Sequence, residues 1–173
     1  MTIAPPQPSE FNEYYARYIG TVPSSGPLAS LNAQLAEFEK LGQLSDLDAD
    51  FCYAEDKWSV REVLGHMADV ERLFSYRLLH IARGDQAPLP GMDEKVWAAN
   101  SPHDWRPISD IAREMIAIRR ATISLVESLD EAAVARAGVA SGFPVTARAL
   151  CWILPGHAQH HLNVLRERYN VYI

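Results

Sequence analysis

The sequence predicts an all-α fold, a four-helix bundle. Four long stretches carry apolar residues at the three-to-four-residue spacing of an amphipathic helix. Between them there is no convincing alternation of the kind that marks a half-buried strand, and no segment repeats another. Helices with one apolar stripe bury it most readily against each other, which makes a bundle the expected architecture. The chain is read as a single domain over residues 1–173, long enough for a full core, with residues 1–24 an N-terminal tail and short helix.

Residues 1–9 are Pro-rich and read as a loose tail. Ser9 can cap a short helix reaching Tyr18, in which Phe11, Tyr14, Tyr15 and Tyr18 recur at helical spacing. Pro27 suits a first-turn position, and Leu28, Leu31, Leu35, Phe38 and Leu41 define the first long helix, to about Leu44. Residues 45–57 form an acidic connection. Ser59 and Glu62 make a capping box for the second long helix, whose apolar line is Val63, Met67, Val70, Phe74, Leu78 and Ile81 and which stops at Gly84. Residues 86–106 form a long connection rich in Pro, Asp and Trp, with one helical turn expected over 93–99; a loop of this length usually serves function or acts as a lid. Pro107 opens the third long helix, which buries Ile108, Ile111, Met115, Ile118 and Val126 and ends near Leu129. After a Gly-bearing connection over 136–144, the fourth starts near Val145 or Thr146 and contains Pro155, where a kink is expected.

The composition excludes several functions. A net charge of −6 with no basic cluster disfavours nucleic acid as a partner. No signal peptide precedes residue 10 and no apolar run approaches a membrane span, so no membrane role is expected. Two cysteines far apart in sequence suit a reducing, cytoplasmic setting and form neither a disulfide framework nor a zinc knuckle. The expected partner is a small-molecule substrate, with a homodimer where apolar surface is left on a bundle helix.

The chemistry lies in the last long helix. His157 and His161 are four residues apart, so both imidazoles leave one face a turn apart and can share a divalent metal. They continue the apolar line Leu150, Leu154, Leu165, which points them at the core. His66 lies on the core-facing line of the second long helix and is the best third donor. Its neighbours Asp69 and Glu71 could supply a carboxylate behind it, Asp69 the better placed; both read more naturally as surface or capping residues than as catalysts. His160, one position before His161, competes with it as a ligand. His80, fourteen residues past His66 and thus roughly 21 Å along the axis, is too far, and Cys151 faces elsewhere. His103 could reach the site only if its loop folds back. Singly, each histidine on an apolar face is more often a hydrogen-bonded core residue than a ligand; on facing helices the three together favour metal. Zinc and nickel suit imidazole best.

Trp58-Ser59-Val60-Arg61-Glu62-Val63-Leu64-Gly65-His66 followed by Ala68-Asp69, and Gly156-His157-Ala158-Gln159-His160-His161-Leu162, resemble the two signatures of the DinB/YfiT-like metalloenzyme superfamily. Arg77, Ala82-Arg83-Gly84-Asp85 and Leu89-Pro90-Gly91-Met92-Asp93 resemble one DinB-type subgroup. The likeness runs from the second long helix nearly to the end, and the order and separation of both motifs make it specific. It implies a four-helix bundle with up-down-down-up connectivity, for which residues 86–106 form the long middle crossover. It also implies a three-histidine divalent metal site on His66, His157 and His161. Relatives include transferases that use a low-molecular-weight thiol and metal-dependent hydrolases, so the resemblance implies a metal-dependent enzyme, a thiol-dependent S-transferase or a hydrolase. A bundle that binds metal or ligand without catalysis is the alternative. No general base stands out; Asp69, Glu71, Asp93 and His103 are the candidates.

Overall fold

The computed structural model describes residues 2–172. Two 3₁₀ turns, Pro8–Glu10 and Glu13–Tyr15, lead into α1 (Ala16–Ile19). There follow α2 (Pro27–Leu41), α3 (Asp46–Ala49), α4 (Val60–Ala82), α5 (Glu94–Ala99), α6 (Ile108–Glu127) and α7 (Glu131–Ala135). A hairpin of β1 (Ala137–Ala140) and β2 (Phe143–Thr146) then feeds α8 (Ala147–Tyr169).

The long helices begin where the local chemistry dictates. Gly26 precedes Pro27 at the first turn of α2. At α4 the Glu62 backbone N–H donates to Ser59 Oγ, and the Ser59 N–H donates to Glu62 Oε2 at 2.7 Å. Thr146 caps α8, and Asn170 closes it in the left-handed region at φ 55°. Pro155 lies within α8 without ending it.

Each of α2 and α8's neighbours follows from the contacts: α4 packs on α6 and α8, and α2 packs on the same two. Residue pairs give the directions. Arg61 reaches the Arg106 carbonyl and Glu71 reaches Arg119, so α4 and α6 run the same way. Tyr169 donates to the Trp58 carbonyl while Phe74 meets His157, so α4 and α8 run oppositely. Parallel neighbours cannot be joined by a tight turn, which is why the connection between α4 and α6 must travel the length of the bundle.

The apolar core has two parts. One gathers Leu31, Val70, Phe74, Ile123 and Leu150 to Leu154; the other gathers Phe38, Met67, Met115, Ala158 and Leu162. A polar layer crosses the bundle between them, made by Gln34, Glu71, Arg119 and His157, all buried.

Two expectations are corrected. The 136–144 connection is not loop but an antiparallel hairpin, registered Ala137 opposite Thr146, with Ser141 and Gly142 at its turn on positive φ. Residues 2–9 are not a loose tail: Ile3 is buried and its carbonyl accepts from Trp152 Nε1 at 3.3 Å, and the short helix expected up to Tyr18 is broken into 3₁₀ turns and α1 because Pro8 and Asn12 each restart the chain.

Candidate metal centre

His66 on α4 and His157 and His161 on α8 present one ligand atom each within 4.8 Å of one another. Ring centres lie 5.3 Å apart for His66 and His157, 4.9 Å for His66 and His161, and 4.6 Å for His157 and His161. Nε2 of His157 and Nε2 of His161 face each other at 3.1 Å. Two nitrogens on one tetrahedral zinc, each at ~2.0–2.1 Å, stand at much the same separation. Burial lowers all three from the ordinary histidine value: His66 to about 4, with His103 adding and Asp69 opposing, and His157 and His161 well below it, the neighbouring imidazoles adding. Neutral imidazoles offer lone pairs to a cation, so this donor set fits a divalent metal.

The structure separates His161 from its competitor. His160 is half-buried, packs on Tyr18 at 5.3 Å between ring centres and lies outside the three-donor group. Asp69 does not back His66. Its Oδ2 pairs with Nε2 of His103 at 3.0 Å, because the crossover folds back and buries that ring. His103 lies on Gly65: a Cβ there would come within 2.2 Å of the imidazole. Glu71 is neither a surface residue nor an available base, being locked to Arg119 in the core. Asp93 caps α5, accepting from the Lys95 and Val96 N–H groups. His80 bonds the Ala87 carbonyl at the far end of α4, and Cys151 is buried in the core.

The three histidines form the floor of a cleft of about 370 Å³. One wall is α1 and the turn before it: Tyr14, Tyr15, Tyr18 and Arg17, whose guanidinium lies 3.8 Å from the Tyr14 ring centre. Tyr18 stands edge-on to His157 at 5.3 Å. Glu94, Arg77, Ser141 and His160 add polar groups to the lining, and Phe74 and Met92 are among its apolar ones. Helix α1 can come this close because position 156 has no side chain. A Cβ on Gly156 would meet the Tyr18 carbonyl oxygen at 2.3 Å. Sequence reasoning missed this wall. The helical spacing of the tyrosines was visible, but it reads equally as an ordinary buried face. Arg77 is part of the likeness to a DinB-type subgroup, with no role attached to it; Glu94 and Ser141 carry no local signal, and the three converge from separate elements.

Fold and site together define a helical bundle with a three-imidazole centre open to a cleft. The chain belongs to the DinB superfamily, whose family model matches residues 30–165, well over half its length. It is similar to a protein of Oceanobacillus iheyensis named a "putative metal-dependent hydrolase", 27% identical over 130 residues that make up 72% of each chain. Its fold is similar to that of YfiT from Bacillus subtilis, described as a probable metal-dependent hydrolase with an unusual four-helix bundle topology. That match has a TM-score of 0.70 and 19% identity, and it covers 96% of this chain and 94% of the other. No helix among the described residues is long and apolar enough to cross a membrane.

Proposed function

We propose that this chain is a metal-dependent hydrolase of small molecules, with His66, His157 and His161 holding the ion. The observation that carries the reading is the convergence of three buried or half-buried imidazoles within 4.8 Å at the floor of a cleft. Zinc or nickel suits such donors. When bound, the ion would supply Lewis-acid polarisation of the substrate and a lowered pKa for water. Three protein donors leave coordination positions free, as catalytic rather than structural sites require.

The remaining residues position and enclose. Tyr15, Tyr18 and Phe74 shield His157 from bulk water and offer an aromatic wall to a substrate. Burial keeps the Tyr18 hydroxyl protonated, so it enters the cleft as a neutral hydrogen-bonding group. Glu94 is the one carboxylate lining the cleft among the described residues, which makes it the best-placed proton acceptor.

The relatives' descriptions favour hydrolysis over thiol transfer, although the same three donors would serve either. The test is the metal content of tag-free protein beside a His157→Ala/His161→Ala variant, followed by assays of ester and amide cleavage with and without added cysteine. Near-stoichiometric zinc or nickel, lost in the variant, and turnover without thiol are expected. Product formed only with thiol would replace hydrolysis by S-transfer, and a wild-type chain that takes up no metal would end the metalloenzyme reading.

A further inference from the structure

The cleft has a second pole, away from the histidines. Arg77, on α4 three residues past Phe74, is 3% exposed and lines the cleft. Its Nη2 donates to the Pro90 carbonyl at 2.8 Å and to Ser141 Oγ at 2.9 Å. Its Nε is buried and has no partner. The two other buried arginines are neutralised: Arg61 by Asp46 and Asp50, Arg119 by Glu71. Arg77 meets only neutral acceptors. A buried guanidinium without a counter-charge is costly, and an orphaned N–H adds to that cost, unless a ligand completes both. Packing does not explain the arrangement, because the same two bonds to Pro90 and Ser141 could be made by a neutral amide.

We infer that Arg77 and Ser141 form an anion-binding subsite, and that the substrate is a small molecule carrying a carboxylate or similar oxyanion at the end opposite its reacting group. The guanidinium offers a fixed fork of donors suited to a two-oxygen acceptor. Ser141 accepts from Nη2, which leaves its own O–H free to donate to the same anion. The hairpin turn holds Ser141 in place: its backbone N–H bonds the Leu89 carbonyl at 3.0 Å, tying the turn to the crossover. Arg77 and the metal floor are joined by Phe74, whose ring centre is 5.7 Å from the Arg77 guanidinium carbon and 5.7 Å from the His157 ring centre. A molecule of drug-like size or smaller can therefore touch both poles while lying along the tyrosine wall. Arg17, at the mouth, adds a second positive charge on the path of entry.

This assignment rests on the cleft proposed above as a substrate site, but its test does not need the metal. The Arg77 Nε–H resonance is followed by NMR in chelator-treated protein titrated with benzoate and, separately, with inorganic phosphate. A saturable shift with either anion is expected, and the preferred anion distinguishes a carboxylate from a phosphoryl substrate. The same titration of the His157→Ala/His161→Ala variant should be unchanged, since those residues lie at the other pole. Ser141→Ala should weaken binding several-fold and Arg77→Gln at least tenfold; should Arg77→Gln fail to fold, the wild-type resonance and Ser141→Ala still decide. No shift with either anion, or a shift equal in Ser141→Ala and wild type, overturns the subsite. Anion binding without metal uptake would sink the hydrolase reading alone, and metal uptake without anion binding would sink the subsite alone.

Discussion

Arg119 and Glu71 meet in the centre of the bundle as a bidentate pair, Nε to Oε1 at 2.7 Å and Nη2 to Oε2 at 2.6 Å, with Arg119 fully buried. Arg119 Nη1 also donates to Gln34 Oε1, and Gln34 Nε2 donates onward to the Pro155 carbonyl at 2.9 Å. The network thus links all four long helices two residues before His157. It sits where the two apolar clusters separate, so it sets the height of α8 against α4, and with it the spacing of the three histidines.

Arg119→Met should be severely destabilising, by about 3–5 kcal/mol, because it strands the Glu71 carboxylate in the core. Arg119→Met/Glu71→Met should recover much of that loss, since a buried ion pair replaced by apolar volume is often near neutral. Urea denaturation of the three proteins checks both. A single variant as stable as wild type would show that the pair contributes little to folding.

Gly156→Ala should push α1 away from α8, because the new methyl meets the Tyr18 carbonyl oxygen and neighbouring backbone atoms, which cannot rotate away. The expected cost is about 1–3 kcal/mol, the usual range for overpacking. Amide exchange over residues 14–20 should speed up, while the three-histidine metal stoichiometry persists. Unchanged exchange there would mean that α1 does not depend on this contact.

Gly65→Ala addresses the crossover. Its methyl would collide with the His103 ring and so break the hold of Asp69 on that loop. Trypsin should cut faster at Lys95, within the crossover, in the variant, with the helical circular dichroism nearly unchanged. Equal cleavage rates would show that His103 does not anchor the crossover.

Acid should unfold the metal-free protein through its histidines. His66 titrates at about 4 in the folded chain, and His157 and His161 well below the ordinary value of 6.5, burial being the main cause. Unfolded, each takes up its proton near 6.5, so between these values the unfolded chain binds more protons than the native one. Stability is therefore intact above pH 6.5 and falls as pH drops toward 4, by up to about 1.4 kcal/mol per pH unit for each histidine. Denaturation midpoints at pH 7.5, 6 and 5 measure the slope, which His66→Gln should reduce. Added zinc should stabilise the protein at pH 7.5 and lose its effect in acid, because protons and metal compete for the same lone pairs. A profile that stays flat in the absence of metal would show that the imidazoles take up protons as readily in the fold as in the unfolded chain.

What the sequence determined by itself was periodic or local. Apolar spacing placed the four long helices, and Ser59 with Glu62, Pro27 and Pro107 marked their starts, because capping and proline effects act within one turn of chain. The i, i+4 spacing of His157 and His161 put two imidazoles on one face for the same reason. The hairpin stayed hidden, since two four-residue strands carry too little alternation to stand apart from a loop. Only the tertiary structure decided which partners meet across the bundle. It gave Asp69 to His103 rather than His66, and it buried Glu71 against Arg119. It also left Arg77 beside a serine and a carbonyl instead of a carboxylate. Those outcomes depend on helices far apart in sequence arriving at one height. That height is set by packing and by the polar layer, neither of which is written in any single stretch of the chain.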